Sequence, residues 1–214
     1  MSEIAPPRQL RRYAATNLMK ARTILTFLFV LVASVTVRAQ ENPPPPADDF
    51  VPERWKEFIS TDGGFKVLMP GVPTAVSQPV DDKPGSAVVH VHTLSTGTAE
   101  YVVGYTIFGR DLENLQSSKV TLDGIRDRML VRESGKLLSE EDVSTAGHPG
   151  RATVIEVSDG IFRDRYFLVG NRLYTVTIFT PKVKAQTEAF TEGIRKSQEW
   201  VANRFLDSFR LLTK

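Results

Sequence analysis

The chain contains no cysteine, and only three of its 214 residues are histidines. Without cysteine there is no disulfide framework, no thiolate metal site, no cysteine nucleophile and no lipid-modified cysteine. The chain also lacks a phosphate-binding Gly-Lys-Ser/Thr loop, a Gly-x-Ser-x-Gly elbow and a His-Glu-x-x-His helix. We therefore predict a protein that is not an enzyme and that carries no cofactor.

Basic residues are in excess only at the N-terminus. The chain has 27 Lys and Arg residues and 25 Asp and Glu residues, a net charge of +2. Six of the basic residues but only one of the acidic residues fall within residues 1–39, so the remainder carries 21 bases and 24 acids, a net charge of −3. A mildly acidic body argues against nucleic-acid binding, which usually requires a basic face.

The N-terminus lacks an apolar run long enough to span a membrane. Thr23–Val37 is uncharged and largely apolar but only 15 residues long, whereas a transmembrane helix needs about 20. Lys20 and Arg22 precede it, and Val37-Arg38-Ala39 offers small residues for a cut after Ala39. This pattern predicts a signal peptide over residues 1–39, with an uncleaved anchor as the alternative. We expect a periplasmic or extracellular protein that meets the membrane only during export.

Two further features divide the N-terminal part of the chain. A chain that started at Met19 would have an ordinary signal peptide of 21 residues, so Met19 is a candidate for the true start. Residues 40–51 contain four consecutive prolines, which favour an extended spacer without a core. We expect a single folded domain from about Pro52 to Lys214.

Turn residues divide this domain into short strands. Asp62-Gly63-Gly64 is typical of a hairpin turn, and Asp159-Gly160 and Gly170-Asn171 predict two-residue hairpins. Pro70–Gly85 contains four prolines and is interpreted as an irregular loop, and Gly147–Gly150 as a turn. The predicted strands are Trp55–Ser60, Phe65–Met69, Ala87–Leu94, Glu100–Phe108, Lys136–Thr145, Arg151–Ser158, Ile161–Val169 and Arg172–Thr180, with a short last strand at Phe209–Leu211.

Apolar residues at helical spacing predict helices over Ser118–Glu133 and Thr187–Leu206. Strands joined by short hairpins must be antiparallel, because parallel neighbours need long crossovers. Ile161–Val169 and Arg172–Thr180 carry apolar residues on both faces, which predicts a sheet covered on both sides. The predicted fold class is α+β: an antiparallel β-sheet with helices on its faces.

Five segments follow one another in a characteristic order: Trp55–Ser60, Asp62–Pro73, Gly147–Arg151, Tyr166–Tyr174 and Phe205–Phe209. Their order resembles that of exported bacterial proteins of the PsbP-like superfamily, over about residues 52–214. The resemblance implies an α/β/α sandwich around an antiparallel sheet. The best-known relatives, accessory proteins of photosystem II and a nuclear-transport cofactor, act by binding partners, and no catalytic motif or ligand residue carries over.

His90 and His92 are the candidate metal ligands. At positions i and i+2 of a predicted strand they face the same side. A metal site normally needs a third ligand, and His148, the other histidine, lies in the predicted turn. We therefore expect solvated strand histidines, with metal binding as the alternative.

Two sets of charged residues are also candidates for ligand binding. Arg163 and Arg165 alternate onto one strand face, and the turn at Gly170-Asn171 adds Arg172 to it, which makes a candidate anion patch. Acidic runs at Asp48-Asp49, Asp81-Asp82 and Glu140-Glu141-Asp142 lack the ligand spacing of a calcium loop, so we interpret them as solvated.

The predicted turn at Asp159-Gly160 bears on the arginine patch. A two-residue turn there pairs Glu156 directly with Arg163 and places Arg165 opposite Val154. Opposite charges at that spacing attract by about 0.2–1 kcal/mol, so we expect an ion pair rather than a free patch.

Two function classes follow. The first is a noncatalytic exported module that binds an envelope or extracellular protein. The second is a metal- or small-ligand-binding protein, with a hydrolase included in that class because serines and acids are abundant beside the histidines.

Overall fold

Ten strands and two helices make up the folded body, as seen in a computed structural model that describes residues 54–79, 87–109, 118–182 and 187–212. The helices are α1 (Ser118–Arg132) and α2 (Glu188–Leu206). The strands are β1 (Lys56–Ser60), β2 (Phe65–Met69), β3 (Thr74–Pro79), β4 (Val88–Ser95), β5 (Glu100–Ile107), β6 (Lys136–Thr145), β7 (His148–Glu156), β8 (Gly160–Val169), β9 (Arg172–Pro181) and β10 (Arg210–Leu211).

The strands form two antiparallel sheets. The larger has seven strands in the order β3-β4-β5-β9-β8-β7-β6, and the smaller has three in the order β1-β2-β10. Four successive hairpin-linked strands, β6 to β9, lie side by side, which confirms the predicted meander and the α+β class. Val169 pairs with Arg172, so the two-residue turn at Gly170-Asn171 is also confirmed.

Each helix packs against a different face of the seven-stranded sheet. Arg151 of β7 makes an ion pair with Asp123 of α1, and its pairing partner Tyr166 lies on the same face. Arg165 of β8 points the other way and donates a hydrogen bond to the carbonyl of Leu206, the last residue of α2. We call the two sides the α1 face and the α2 face.

The main core lies between the α2 face, helix α2 and the small sheet. Aromatic rings dominate it: Phe167 and Phe209 stack with ring centroids 5.5 Å apart, and Phe65 lies 6.2 Å from Tyr174. Buried residues of β5, β9 and α2 complete the cluster. Large rings bury the most apolar area per residue, and their edge-to-face contacts stabilise it further.

Local signals explain where α1 lies. Thr121, Leu122, Ile125 and Met129 are its buried residues, at the three- and four-residue spacings expected of one helix face. The helix ends where Ser134 adopts a positive φ of 48°, just before Gly135. The predicted helix over Ser118–Glu133 is thereby confirmed.

The predicted irregular loop over Pro70–Gly85 is wrong in part, because Thr74–Pro79 forms strand β3. This strand pairs with β4 at the edge of the sheet, where a proline needs no ladder partner on its outer side. The predicted turn at Gly147–Gly150 is also misplaced. Ala146 and Gly147, both with positive φ, form a two-residue turn that pairs Thr145 with His148.

The predicted two-residue turn at Asp159-Gly160 is wrong. Glu156 pairs with Ile161, so the β7–β8 connection is two residues longer than predicted. The amide of Val157 donates to the carbonyl of Gly160 within this connection. Gly160 is then free to join β8 and pair with Pro181 of β9.

The predicted signal peptide, spacer and domain start at Pro52 lie outside the described residues, as do Asp48-Asp49 and Asp81-Asp82. All described residues belong to one compact unit. Neither of the helices described is both long and apolar enough to cross a membrane.

Candidate functional site

The two predicted metal-ligand histidines lie together on the α2 face, near one edge of the large sheet. His90 of β4 pairs with Ser77 of β3 on one side and Tyr105 of β5 on the other. His92 pairs with Val103, whose side chain faces the main core, so both histidines point to the same side. We call His90, His92, Ser77, Tyr105 and Phe58 the histidine cluster.

The ring of His90 is held from two directions. Its Nδ1 atom lies 2.8 Å from the hydroxyl oxygen of Ser77, a hydrogen-bond distance. The imidazole stacks on the phenol of Tyr105, with centroids 4.5 Å apart and planes 12° apart. Tyr105 is itself buried, and its pKa is raised by that burial. His90 therefore has a defined orientation although it is only half-buried.

His92 lies against aromatic rings of the small sheet. Its ring centroid is 4.8 Å from that of Phe58 and 6.1 Å from that of Phe65. Burial lowers the pKa of His92, and the neighbouring charge of His90 lowers it further. The neutral imidazole, which can accept a proton or bind a metal, is the favoured form.

His148 does not join this cluster. It begins β7, which lies four strands from β4 in the large sheet. At about 4.8 Å per strand this separation is about 19 Å, too far for a shared ligand. Within the parts of the chain that the structure describes, no three His, Asp or Glu side chains are grouped to hold a metal ion.

The three arginines of the predicted anion patch share the α2 face but bind different parts of the protein. Arg163 donates to the hydroxyl of Thr180 at 3.1 Å, and burial lowers its pKa. Arg165 binds the Leu206 carbonyl at 3.0 Å and the carboxylate of Asp207, at the C-terminal end of α2 where a cation is favourable.

Arg172, the third arginine, fastens the small sheet to the large one. Its guanidinium donates to the carbonyls of Asp62 at 3.1 Å and Gly63 at 3.0 Å, in the β1–β2 turn. It also lies 5.2 Å from the ring centroid of Tyr105, at the border of the histidine cluster. Each arginine thus has a protein partner in a different place.

The predicted cross-strand pair of Glu156 and Arg163 is wrong because the β7–β8 register is shifted by two residues. Arg163 stands opposite Val154, and Arg165 opposite Ala152. Glu156 instead forms an ion pair with Lys182, with nitrogen and oxygen 3.1 Å apart. An even shift keeps every side chain on its predicted face while changing its partner.

The acidic run Glu140-Glu141-Asp142 is not simply solvated. Arg151, whose side chain is only 4% exposed, forms ion pairs with Glu140, with Asp142 at 2.9 Å and with Asp123 of α1 at 2.9 Å. Arg126 of α1 also binds Glu140, at 2.6 Å. These contacts join α1 to β6 and β7, so the acids have a structural use.

An exposed tryptophan on α2 was missed by the sequence reasoning. Trp200 is 41% exposed, and its ring lies edge-on to that of Trp55, with centroids 6.3 Å apart. The guanidinium carbon of Arg204 lies 5.3 Å from each of the two rings. Trp200 and Arg204 are four residues apart on one helix face, a spacing that could have indicated the contact.

A buried carboxyl on the α1 face was missed as well. Asp164 is 1% exposed. One of its oxygens accepts a hydrogen bond from Thr177 at 2.6 Å and the other from Thr153 at 3.4 Å. Burial raises its pKa to about 6, against the opposing effect of these hydroxyls. The sequence signal for this burial was the position of Asp164 between Phe162 and Tyr166, two aromatic residues on the same strand face.

Comparison with known proteins yields only distant structural similarities. No family model matches the chain, and no curated protein matches it. Similar solved structures include a protein of unknown function from Pseudomonas aeruginosa, 13% identical with a TM-score of 0.33, covering 69% of this chain and 92% of that one.

Two further structures are comparably distant. A Bacteroides thetaiotaomicron protein is 14% identical with a TM-score of 0.32, covering 75% of this chain and 50% of its own. An uncharacterized Mycobacterium smegmatis protein is 8% identical with a TM-score of 0.29, covering 58% and 68% respectively. At such TM-scores the similarity carries no argument about function.

Proposed function

We propose that this chain is an exported, noncatalytic module that binds a protein of the bacterial envelope, with a PsbP-like α/β/α sandwich as its fold. The short apolar N-terminal run supports export. An antiparallel sheet with one helix against each face supports the sandwich architecture. The observation that carries the binding role is the exposed Trp200, which stacks with Arg204 and the buried Trp55.

This stack has the properties of an interface anchor. Tryptophan and arginine are the side chains that most often dominate the energy of protein interfaces. Arg204 makes one cation–π contact with Trp200 and one with Trp55, each worth about 0.5–1 kcal/mol at an exposed site, and so holds the indole of Trp200 in place before a partner arrives. Trp55 is buried and rests on Tyr101 with centroids 5.8 Å apart, so the base of the stack is rigid. An anchor already ordered loses little entropy on binding.

The test is a crosslinking capture from the native envelope, followed by binding of the identified partner in purified form. We expect Trp200→Ala to weaken that purified complex about 30-fold, the equivalent of about 2 kcal/mol. Leu138→Ala is the matched control, because Leu138 is also an exposed apolar residue, 48% exposed, but lies on edge strand β6. Equal affinity of the wild type and Trp200→Ala would contradict the proposal.

Export is tested separately. Cell fractionation is expected to place the mature chain in the periplasm or medium, with Gln40 as its N-terminal residue. Recovery of the uncut chain in the membrane pellet would support the anchored alternative.

The second function class, metal or small-ligand binding, is favoured by a different observation. The contact of Ser77 with His90 at 2.8 Å brings a hydroxyl and an imidazole together. A hydrolase would also need an acid to orient that imidazole. Among the hydrogen bonds of the described residues, none joins a carboxylate to His90 or His92, so these contacts favour metal binding by the two imidazoles over acyl transfer.

A further inference from the structure

We propose that His90 and His92 form an open two-histidine site for a late first-row divalent cation, Cu²⁺ foremost and Zn²⁺ second, with water in the remaining positions. The proposal is independent of the partner-binding surface at Trp200. It rests on the placement of the two rings, on the hydrogen bond that orients one of them, and on the chemistry of the donor set.

The strand geometry places the two histidine side chains on the same face of β4. Both residues point to the α2 face, since their pairing partners Tyr105 and Val103 both belong to its core. Residues two apart on a strand are about 6.6 Å apart at the backbone, which allows two long planar side chains to reach one ion. Both residues are half-buried, so water and a small cation have access.

Ser77 supplies the outer contact that metal-binding histidines normally have. A histidine that binds a metal through one ring nitrogen usually donates a hydrogen bond from the other. The Nδ1 atom of His90 is already 2.8 Å from the hydroxyl oxygen of Ser77, which leaves Nε2 as the nitrogen for a metal. Stacking on Tyr105 holds the ring in this orientation.

The ring of His92 is also restrained before any ion binds. Phe58 lies 4.8 Å from it, between centroids, on the small sheet. Phe58 comes from β1, so the two sheets together define the position of the second ligand. Two restrained imidazoles lose less side-chain entropy on chelation than two mobile ones.

The donor set selects the metal. Imidazole nitrogen suits Cu²⁺, Ni²⁺ and Zn²⁺, whereas Ca²⁺ and Mg²⁺ require several oxygen ligands. Among divalent first-row ions, Cu²⁺ binds a given nitrogen site most tightly. Two protein ligands leave at least two positions of a tetrahedral or square-planar ion to water or to a group from another molecule.

The experiment is a titration of the purified full chain with CuCl₂ by calorimetry, followed by electron paramagnetic resonance of the equimolar complex. We expect one Cu²⁺ per chain and hyperfine structure from two imidazole nitrogens. His90→Gln and His92→Gln should each weaken binding at least tenfold. His148→Gln should not, and it is a matched control because it also removes one of the three histidines.

Ser77→Ala tests the orienting hydrogen bond. Loss of an outer-shell contact typically weakens metal binding about 10- to 100-fold, so we expect a loss of at least about tenfold here, with the spectrum of two nitrogens retained. Unchanged affinity in Ser77→Ala would overturn the role of Ser77.

Two results would overturn the site as a whole. One is a wild-type spectrum without two imidazole nitrogens, a measurement that does not depend on any variant folding. The other is an unchanged affinity in the folded double variant His90→Gln/His92→Gln.

Discussion

Replacement of Asp164 should change the way in which the unfolding free energy of this protein depends on pH. Its carboxyl is buried on the α1 face of the sheet and accepts hydrogen bonds from the hydroxyls of Thr153 and Thr177. The charge of Arg132, on α1, favours the ionised carboxylate but does not outweigh the burial. Tyr166, the next residue on the same strand face, is fully buried, and burial raises its pKa as well. The pocket therefore favours the neutral acid.

The effect on stability follows from the pKa of Asp164, which burial raises from 3.8 to about 6. A raised pKa means that the folded state binds the proton more tightly than the unfolded chain does. The stabilising contribution of the protonated acid is therefore complete below about pH 4 and is lost as the pH rises through about 6. A difference of about 2 pH units corresponds to about 3 kcal/mol of unfolding free energy.

Asp164→Asn should remove the loss of stability that the wild type shows as the pH rises through about 6, because asparagine has a similar shape and stays neutral at every pH. The hydroxyls of Thr153 and Thr177 can accept as well as donate, so the amide group can be satisfied. Relative to the wild type, the unfolding free energy of the variant is expected to rise by about 2.5 kcal/mol between pH 4 and pH 7.5, since at pH 4 the carboxyl of the unfolded chain is already partly ionised. Urea unfolding of both proteins at intervals across this range measures the difference.

The control is Asp159→Asn, which removes one formal charge from an exposed position in the β7–β8 turn. Comparison with it separates the burial of one carboxyl from a general change in net charge. If the difference between Asp164→Asn and the wild type stays constant within about 0.5 kcal/mol from pH 4 to pH 7.5, then burial does not keep this acid neutral and the reasoning fails.

Two further predictions concern packing. Arg151→Leu should cost about 1–3 kcal/mol in urea unfolding, because it removes a buried cation shared by three carboxylates, although Glu140 and Asp123 keep Arg126. Arg195→Leu, in an exposed ion pair, should leave the midpoint unchanged. Equal midpoints for the two variants would contradict this expectation. Gly104→Ala should lower the thermal midpoint, because a Cβ there would lie 2.5 Å from the backbone oxygen of His90. The control is Gly193→Ala in α2, where a Cβ meets nothing within 4 Å and should raise stability by about 0.5–1 kcal/mol. A raised midpoint for Gly104→Ala would refute the close approach.

Much of the fold could be predicted from the sequence because its signals are local. A two-residue turn such as Gly170-Asn171 sets the pairing of Val169 with Arg172 within four residues. The helix over Ser118–Arg132 follows from apolar spacing and from the residues that end it. The prediction that His90 and His92 share a face needed only the two-residue period of a strand.

Other elements could not be predicted because their cause lies elsewhere in the chain. Strand β3 exists because Thr74–Pro79 finds an open edge beside β4, which no local pattern in a proline-rich stretch reveals. The β7–β8 connection is longer than a two-residue turn because Gly160 pairs with Pro181 of β9. Glu156 consequently binds Lys182 instead of Arg163.

The chemistry of the candidate sites depends on tertiary packing for the same reason. His90 receives its orientation from Ser77 and Tyr105 on the two neighbouring strands. The indole of Trp200 receives its ring contact only when α2 lies beside Trp55. The local period gives the side of a strand on which a residue lies, whereas its partners and its burial are decided by segments distant in sequence that the packed fold brings into contact.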